Sequence, residues 1–272
     1  MILTKSADPP LDREQVNENY GCDLYFCRQA LMFSGRRNSA RLAALLDQAT
    51  CFLAHAPENI RHPVIRFGKV DPWHEAPRRE GWIFIHIPKT AGQSMRRFLG
   101  VPGSWHSTID QFYAFHPLEA DKAFKFAVVR NPWDRLVSSF HYAKYHDHNA
   151  PAVAWRNLWL KDCHDFGDFL ELVRTSRKHR KVIFRYHIFR PQMDFISRNG
   201  SICVDKLIAF ENLKHDLQFV ANRINRDLGL LGHENRSVRG EYRSYYKTSE
   251  QVDIVGKIYK DDIDFLNYRF EQ

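Results

Sequence analysis

Trp82-Ile83-Phe84-Ile85-His86-Ile87-Pro88-Lys89-Thr90-Ala91-Gly92-Gln93-Ser94-Met95 is the stretch that decides how the chain reads. Its first six residues are apolar on both alternating faces, the pattern of a central parallel strand covered by helices on each side. Pro88 stops the strand. The small residues that follow leave successive backbone N–H groups free to converge where a helix begins, and such a turn is an anion cradle. Gly92 permits close backbone approach, Thr90 and Ser94 add hydroxyls, and Lys89 brings a point charge. The lysine precedes the glycine and the G-x-x-x-x-G spacing is missing, so the segment is not a Walker loop. The plain alternative is an ordinary strand-to-helix turn with an exposed lysine.

Working outward, Phe124-Lys125-Phe126-Ala127-Val128-Val129 is a second strand of the same kind. It ends at Arg130, turns at Asn131-Pro132, and leads into a helix with Trp133, Leu136, Val137 and Phe140 on one side. Ser138 is expected on that helix's polar side. A third strand is expected from Val204 to Phe210, followed by a helix starting near Asn212. Strands alternating with helices predict an α/β fold with three layers, a central parallel sheet flanked by helices, similar to P-loop proteins. An arginine at one strand end and a hydroxyl on the adjoining helix can grip a second phosphate. Two anion sites at neighbouring strand ends suit a ligand with two separated phosphate-type groups, because in open sheets the ligand crevice lies at the carboxyl ends of the strands.

Upstream, the segment 71–80 carries two prolines and five charged residues and reads as a connector. It divides a mainly helical N-terminal extension, residues 1–79, from a larger domain, 80–272. In the extension, Asn38 or Ser39 is expected to cap a helix bearing Leu42, Leu45, Leu46, Ala49 and Leu53. The 272 residues are 44% apolar, enough for a sizeable core, which excludes whole-chain disorder. Lys plus Arg number 40 against 32 Asp plus Glu, a net charge of +8 that favours anionic partners. No apolar run is long enough to span a membrane, and the opening MILTKSADPPLDREQ lacks the apolar stretch of a signal peptide. Five cysteines, Cys22, Cys27, Cys51, Cys163 and Cys203, contain no C-x-x-C pair. A cytoplasmic location without stable membrane insertion is therefore expected, with an anchor removed from upstream as the alternative.

The two segments Ile87-Pro88-Lys89-Thr90-Ala91-Gly92-Gln93-Ser94 and Val129-Arg130-Asn131-Pro132-Trp133-Asp134-Arg135-Leu136-Val137-Ser138-Ser139-Phe140 resemble the cofactor motifs of sulfotransferases that use 3′-phosphoadenosine 5′-phosphosulfate (PAPS). The closer resemblance is to the carbohydrate branch, with the Golgi heparan and chondroitin enzymes and their bacterial relatives. It covers roughly residues 81 to 272, including Ala209-Phe210-Glu211-Asn212-Leu213 and pieces from Tyr242 to Phe270. The resemblance implies that Lys89, Thr90, Ala91, Gly92, Gln93 and Ser94 bind the 5′-phosphosulfate, and that Arg130 and Ser138 bind the 3′-phosphate. Gln93 stands where the family commonly has threonine. The implied reaction is in-line transfer of a sulfuryl group to a hydroxyl of a saccharide or glycoconjugate, with Lys89 at the leaving oxygen and no metal required.

Relatives in this branch carry a histidine near the acceptor, which makes His106 the expected general base, ahead of His116, Asp110 and Glu119. Between Arg174 and Arg190, seven basic residues are interleaved with aromatics, a composition suited to an anionic glycan, so Arg185, Tyr186 and Arg190 are candidate acceptor residues; a solvated charged face is the alternative. Arg239, Tyr242, Arg243 and Tyr246 are expected to close over nucleotide or acceptor, with Arg239 a candidate cofactor ligand. His146-Asp147-His148 reads as a solvated loop rather than a metal site, and Thr248-Ser249-Glu250-Gln251 as a capping box. Two rival functions share some of these features. A nucleotide kinase or NTPase has the same cradle, and a non-enzymatic polyanion-binding module needs only the basic stretch; no nucleic-acid motif supports the latter. Oligomeric state is not legible.

Overall fold

The structure is a computed structural model that describes residues 57–68, 71–73, 75–101, 106–146, 150–230 and 239–271. The expected helix through Leu42 and Leu53, the cysteines Cys22, Cys27 and Cys51, and Asp147 and His148 lie outside the described residues.

Helix α1 (Glu58–Gly68) and the short α2 (Glu75–Glu80) lead into strand β1 (Trp82–Ile85), which is followed by α3 (Gly92–Leu99), α4 (Ile109–Phe115) and α5 (Pro117–Lys122). Strand β2 (Phe124–Val129) opens into the long α6 (Pro132–Tyr145) and a run of helices, α7 (Ala150–Trp159), α8 (Phe166–Thr175), α9 (Arg177–Ile183) and α10 (Met193–Ile196). A two-residue hairpin, β3 (Ser197–Arg198) with β4 (Ser201–Ile202), precedes β5 (Lys206–Ala209), α11 (Leu213–Arg223), α12 (Ser249–Ile258) and α13 (Lys260–Leu266). Strands β1, β2 and β5 form one parallel sheet with β2 in the centre.

Side-chain alternation along these strands builds the layers. Trp82, Phe126, Val128 and Ile208 point to one face, where they pack with Met95, Phe98 and Leu99 of α3 and Leu217, Val220 and Ala221 of α11. Ile83, Ile85, Ala127 and Val129 point to the other, against Ile109, Phe112 and Tyr113 of α4 and Met193, Phe195 and Ile196 of α10. Helices thus cover both faces of a parallel sheet, as the both-sided apolar strands require. A third core joins Trp133, Leu136 and Phe140 of α6 to Phe169, Val173, Phe189, Val255 and Tyr259.

Four details differ from the sequence reading. β1 ends at Ile85, two residues early, because His86 and Ile87 already belong to the turn, and β5 starts at Lys206 rather than Val204. The connector is not free of structure: it contains α2, whose Glu80 accepts hydrogen bonds from the Trp82 indole at 2.8 Å and from Arg226 at 2.9 Å. The capping motif at Thr248 is shared between two residues. Gln251 N–H donates to the Thr248 hydroxyl at 3.3 Å, while the Gln251 side chain accepts from the Lys247 N–H at 2.7 Å. A complete reciprocal box occurs instead at Thr108 and Gln111, starting α4.

Candidate functional site

The site forms where β1 and β2 end. Beyond β1 the backbone enters the left-handed region at Lys89 (φ 69°) and again at Ala91 (φ 66°), conformations that L residues adopt at a cost of about 1–3 kcal/mol each. The turn is closed from inside by the Thr90 hydroxyl, which donates to the Ile87 carbonyl at 2.8 Å. Thr90 was expected to donate to a bound anion; its hydrogen is engaged within the turn. Gly92, the first residue of α3, lies against the buried ring of His86. A Cβ at position 92 would stand 1.7 Å from His86 Nε2. The glycine is therefore required by an imidazole, in addition to any backbone approach to a ligand. Ser94 is buried and Gln93 is exposed, its side-chain carbonyl accepting from Arg96 at 3.3 Å.

Arg130 follows the last residue of β2, and parallel pairing places it beside this turn. Its Nη1 donates to the Lys89 carbonyl at 3.0 Å, so the two residues read as separate anion contacts share one location. The rest of the guanidinium is fixed as well. Nε and Nη2 contact Asp134 Oδ2 at 2.8 and 2.7 Å, and the plane lies 4.0 Å over the Phe210 ring. Asp134 gives its other oxygen to Arg239, so one carboxylate joins two arginines far apart in sequence. The Arg130 backbone exchanges hydrogen bonds with the Gln192 side chain, N–H to Oε1 at 2.9 Å and Nε2–H to the carbonyl at 2.8 Å. Gln192 and Met193 N–H donate in turn to buried Asp262, each at 2.8 Å. From the next turn of α6, fully buried Arg135 donates to the carbonyls of Pro88 at 3.0 Å and Arg190 at 2.8 Å, tying the cradle to the segment ahead of α10.

Lys89 therefore stands among three arginines, Arg130, Arg135 and Arg239, with Asp134 bridging Arg130 and Arg239, a concentration of positive charge in a largely buried place. Burial, and then the charges of Arg130, Arg239 and Arg135, lower the Lys89 ammonium to about 8. Its Nζ stands 4.0 Å over the ring of Tyr142. Burial also depresses Arg130, with Asp134 as the main counterweight. Such an arrangement favours a dianion or two neighbouring anionic groups, which relieve both the burial cost and the mutual repulsion.

Beside the turn stand three histidines. His106 Nδ1 lies 3.2 Å from the His86 carbonyl, and the rings of His106 and His86 are 4.4 Å apart, those of His106 and His187 5.2 Å. A carbonyl only accepts, so the neutral His106 ring carries its hydrogen on Nδ1 and leaves Nε2 with a lone pair. Burial holds His86 down at about 3, and burial with the neighbouring His86 holds His106 well below the ordinary histidine value. Both are neutral near pH 7. The other candidates for a base are engaged elsewhere. His116 Nε2 pairs with Asp71 at 2.5 Å, Asp110 with Arg61 at 2.6 Å, and Glu119 with Arg78 at 3.1 Å.

Several expected residues sit differently from their sequence reading. Ser138 is buried, because α6 is enclosed on all sides from Pro132 to Phe140 except at Asp134, so it has no polar face there. Tyr242 and Tyr246 are core residues, the latter donating to the Trp133 carbonyl at 3.0 Å, and Arg243 pairs with Glu241 on the surface. Of that segment, Arg239 alone reaches the cation cluster through Asp134. Tyr186 is stacked on Trp155 at 4.2 Å, Arg190 pairs with Asp194 at 2.8 Å, and Arg185 is half-buried at the end of α9. Their segment approaches the turn through His187. Among the described residues no group of three or more His, Cys, Asp or Glu side chains, the three histidines included, is placed to hold a metal ion, and no helix is long and apolar enough to cross a membrane.

Sequence reading missed Asp134, Tyr142, Gln192, His86 and His187. Asp134 alone left a local signal, four residues after Arg130 at the start of a helix. Tyr142, Gln192 and His187 meet the site across tens of positions, and His86, though close to Lys89 in sequence, reads as a strand residue until Gly92 packs on its ring.

No curated protein and no solved structure matches the chain significantly. A family model, described as sulfotransferase family, matches residues 77–269, spanning the sheet, the cradle at Lys89, Arg130 and the segment carrying Arg239. The chain belongs to the sulfotransferase family, and is a transferase of sulfuryl groups on an α/β fold with a parallel three-stranded sheet.

Proposed function

We propose that the protein transfers a sulfuryl group from PAPS to a hydroxyl of a saccharide or glycoconjugate. The observation that carries this reading is the meeting of Lys89 and Arg130 at the tips of neighbouring parallel strands, with Arg239 drawn to the same point by Asp134. The residues fit the donor. PAPS carries anionic groups at both ends of one ribose, and the cluster gathers Lys89, Arg130, Arg135 and Arg239, with Asp134 bridging two of them, in a place where unpaired positive charge is costly. Family membership sets aside the nucleotide kinase and polyanion-binding alternatives.

In this reading the turn from Lys89 to Ser94 holds the 5′-phosphosulfate and Arg130, with Ser138 and Arg239, holds the 3′-phosphate. The acceptor hydroxyl oxygen attacks sulfur in line, the bond from sulfur to the bridging phosphate oxygen breaks, and adenosine 3′,5′-bisphosphate leaves. Lys89 offsets charge on that leaving oxygen. His106 takes the hydroxyl proton at Nε2, the nitrogen its hydrogen bond to the His86 carbonyl leaves open. Arg185, Tyr186 and Arg190, on the segment that reaches His106 through His187, face the acceptor side. A soluble, cytoplasmic setting accompanies the proposal.

Incubating the protein with sulfur-labelled PAPS and a panel of glycans, simple alcohols and phenols tests it. Label transferred to a sugar hydroxyl supports the reading. Transfer to phenols alone overturns the saccharide assignment, and no release of adenosine 3′,5′-bisphosphate with any acceptor overturns the donor.

A further inference from the structure

We propose that Tyr142 is a positioning residue for Lys89, its ring face holding the lysine ammonium charged and aimed for the anion to be bound. The inference rests on the reading above for what Lys89 does, but the contact itself is independent of that reading.

The ammonium occupies an unfavourable place. Arg130 and Arg135 from the β2–α6 junction, Arg239 from the C-terminal segment, and the neighbouring His86 and His106 all surround it, and the carboxylate that joins Arg130 to Arg239 is Asp134. Asp134 is committed, one oxygen to Arg130 and the other to Arg239. Among the described residues no carboxylate pairs with Lys89. The ring of Tyr142, one helical turn beyond Ser138 on α6, takes that place at 4.0 Å, well inside the range of a cation–π contact.

The choice of partner matters chemically. A carboxylate would neutralise the ammonium and occupy its N–H donors, and an incoming phosphate oxygen would then compete with it. A ring face attracts the charge through its quadrupole without accepting a conventional hydrogen bond from every donor, so the ammonium stays available. Lys89 is already lowered to about 8 by its surroundings. Without the ring, its protonated fraction at neutral to mildly alkaline pH falls, and a group meant to stabilise a leaving oxygen loses its charge.

The test compares Tyr142→Phe, which keeps the ring face, with Tyr142→Leu, which keeps apolar bulk without a quadrupole. Two measurements are made on the full chain. The Lys89 side-chain resonance, assigned with Lys89→Arg, is titrated by NMR, and adenosine 3′,5′-bisphosphate binding is measured calorimetrically at about pH 6.5 and about pH 8.5, on either side of the ordinary range of a lysine lowered this far. In the Tyr142→Leu variant the lysine loses its ring-current shift and titrates lower by roughly half to one pH unit. Bisphosphate affinity falls about three- to ten-fold at the higher pH and by clearly less at the lower, where the lysine is charged in both proteins. Tyr142→Phe retains both properties. An unchanged or raised lysine titration in the Tyr142→Leu variant overturns the proposal, as does a loss of affinity equal at both pH values or equal in the two variants. If wild-type protein binds no bisphosphate, the donor reading fails while the lysine titration still decides the role of Tyr142.

Discussion

Replacing Gly92 by alanine probes the packing beneath the cradle. In most exposed helices that change is favourable by about 1 kcal/mol, because alanine loses less backbone entropy. Here the new methyl carbon would lie 1.7, 2.3 and 2.7 Å from three atoms of the His86 ring. The ring is buried, stacked near Phe84 at 5.8 Å and against His106 at 4.4 Å, so it lacks an open direction in which to move. Overpacking of this severity costs about 3 kcal/mol, leaving a net loss of about 2 kcal/mol after the helix gain. For a chain of this size that corresponds to a fall in Tm of roughly 4–8 °C. The assay is a double-mutant cycle with His86→Ala, followed by thermal and urea unfolding. His86→Ala makes room for the methyl while the helix gain remains, so the double variant should be more stable than the sum of the single losses by about 3 kcal/mol, the whole overpacking term. Additive losses, or a Gly92→Ala protein as stable as wild type, would refute the claim that the imidazole dictates this glycine.

Lys89→Ala should lower kcat by roughly 10²–10³ with the unfolding transition preserved, as measured by initial rates at saturating donor; wild-type turnover would remove Lys89 from the chemistry. His106→Ala should cost about 10²–10⁴ in rate, with the remaining activity insensitive to added acceptor of lower hydroxyl pKa only if another base has taken over. Acid should destabilise the fold. His86 and His106 stay neutral in the folded protein far below their ordinary value of 6.5, whereas the unfolded chain protonates them there, so stability falls as pH drops from 6.5 toward 3. Each histidine contributes a slope of about 1.4 kcal/mol per pH unit. Asp262, raised to about 6 by burial, opposes this between about pH 4 and 6, since its protonated form is favoured in the fold. Urea midpoints should therefore fall as the pH drops through this range, less steeply where Asp262 takes up its proton, and a flat profile would contradict the neutral buried pair.

What the sequence made legible is local or periodic. β2 runs from Phe124 to Val129 as its apolar run suggests, α11 begins directly after Asn212, and Asn131-Pro132 starts α6 with the Asn131 side chain accepting from Trp133 N–H at 3.1 Å. The two anion motifs converge because a parallel sheet puts consecutive strand tips side by side, a consequence of topology that their spacing alone implies. Contacts made across long separations stayed hidden. Nothing near Arg130 announces Gln192 or Arg239, and His86 reads as one more strand residue until Gly92 and His106 close around it. Amphipathic reasoning failed for α6, since a helix enclosed on nearly every side carries buried serines at 138 and 139 that look like a solvent face. The C-terminal segment expected by resemblance to close over the ligand instead places Tyr242 and Tyr246 in the core, where their hydroxyls donate to the Phe270 and Trp133 carbonyls.

The most direct test of the paired strand-tip site is the discrimination between adenosine 3′,5′-bisphosphate and adenosine 5′-monophosphate, measured by calorimetry on wild-type and Arg130→Ala protein. Charge-assisted contacts to the extra phosphate predict that wild type binds the bisphosphate about 10- to 100-fold more tightly, and that Arg130→Ala loses most of that preference. Equal affinity for the two nucleotides in wild type, or a preference undiminished without Arg130, would contradict the account.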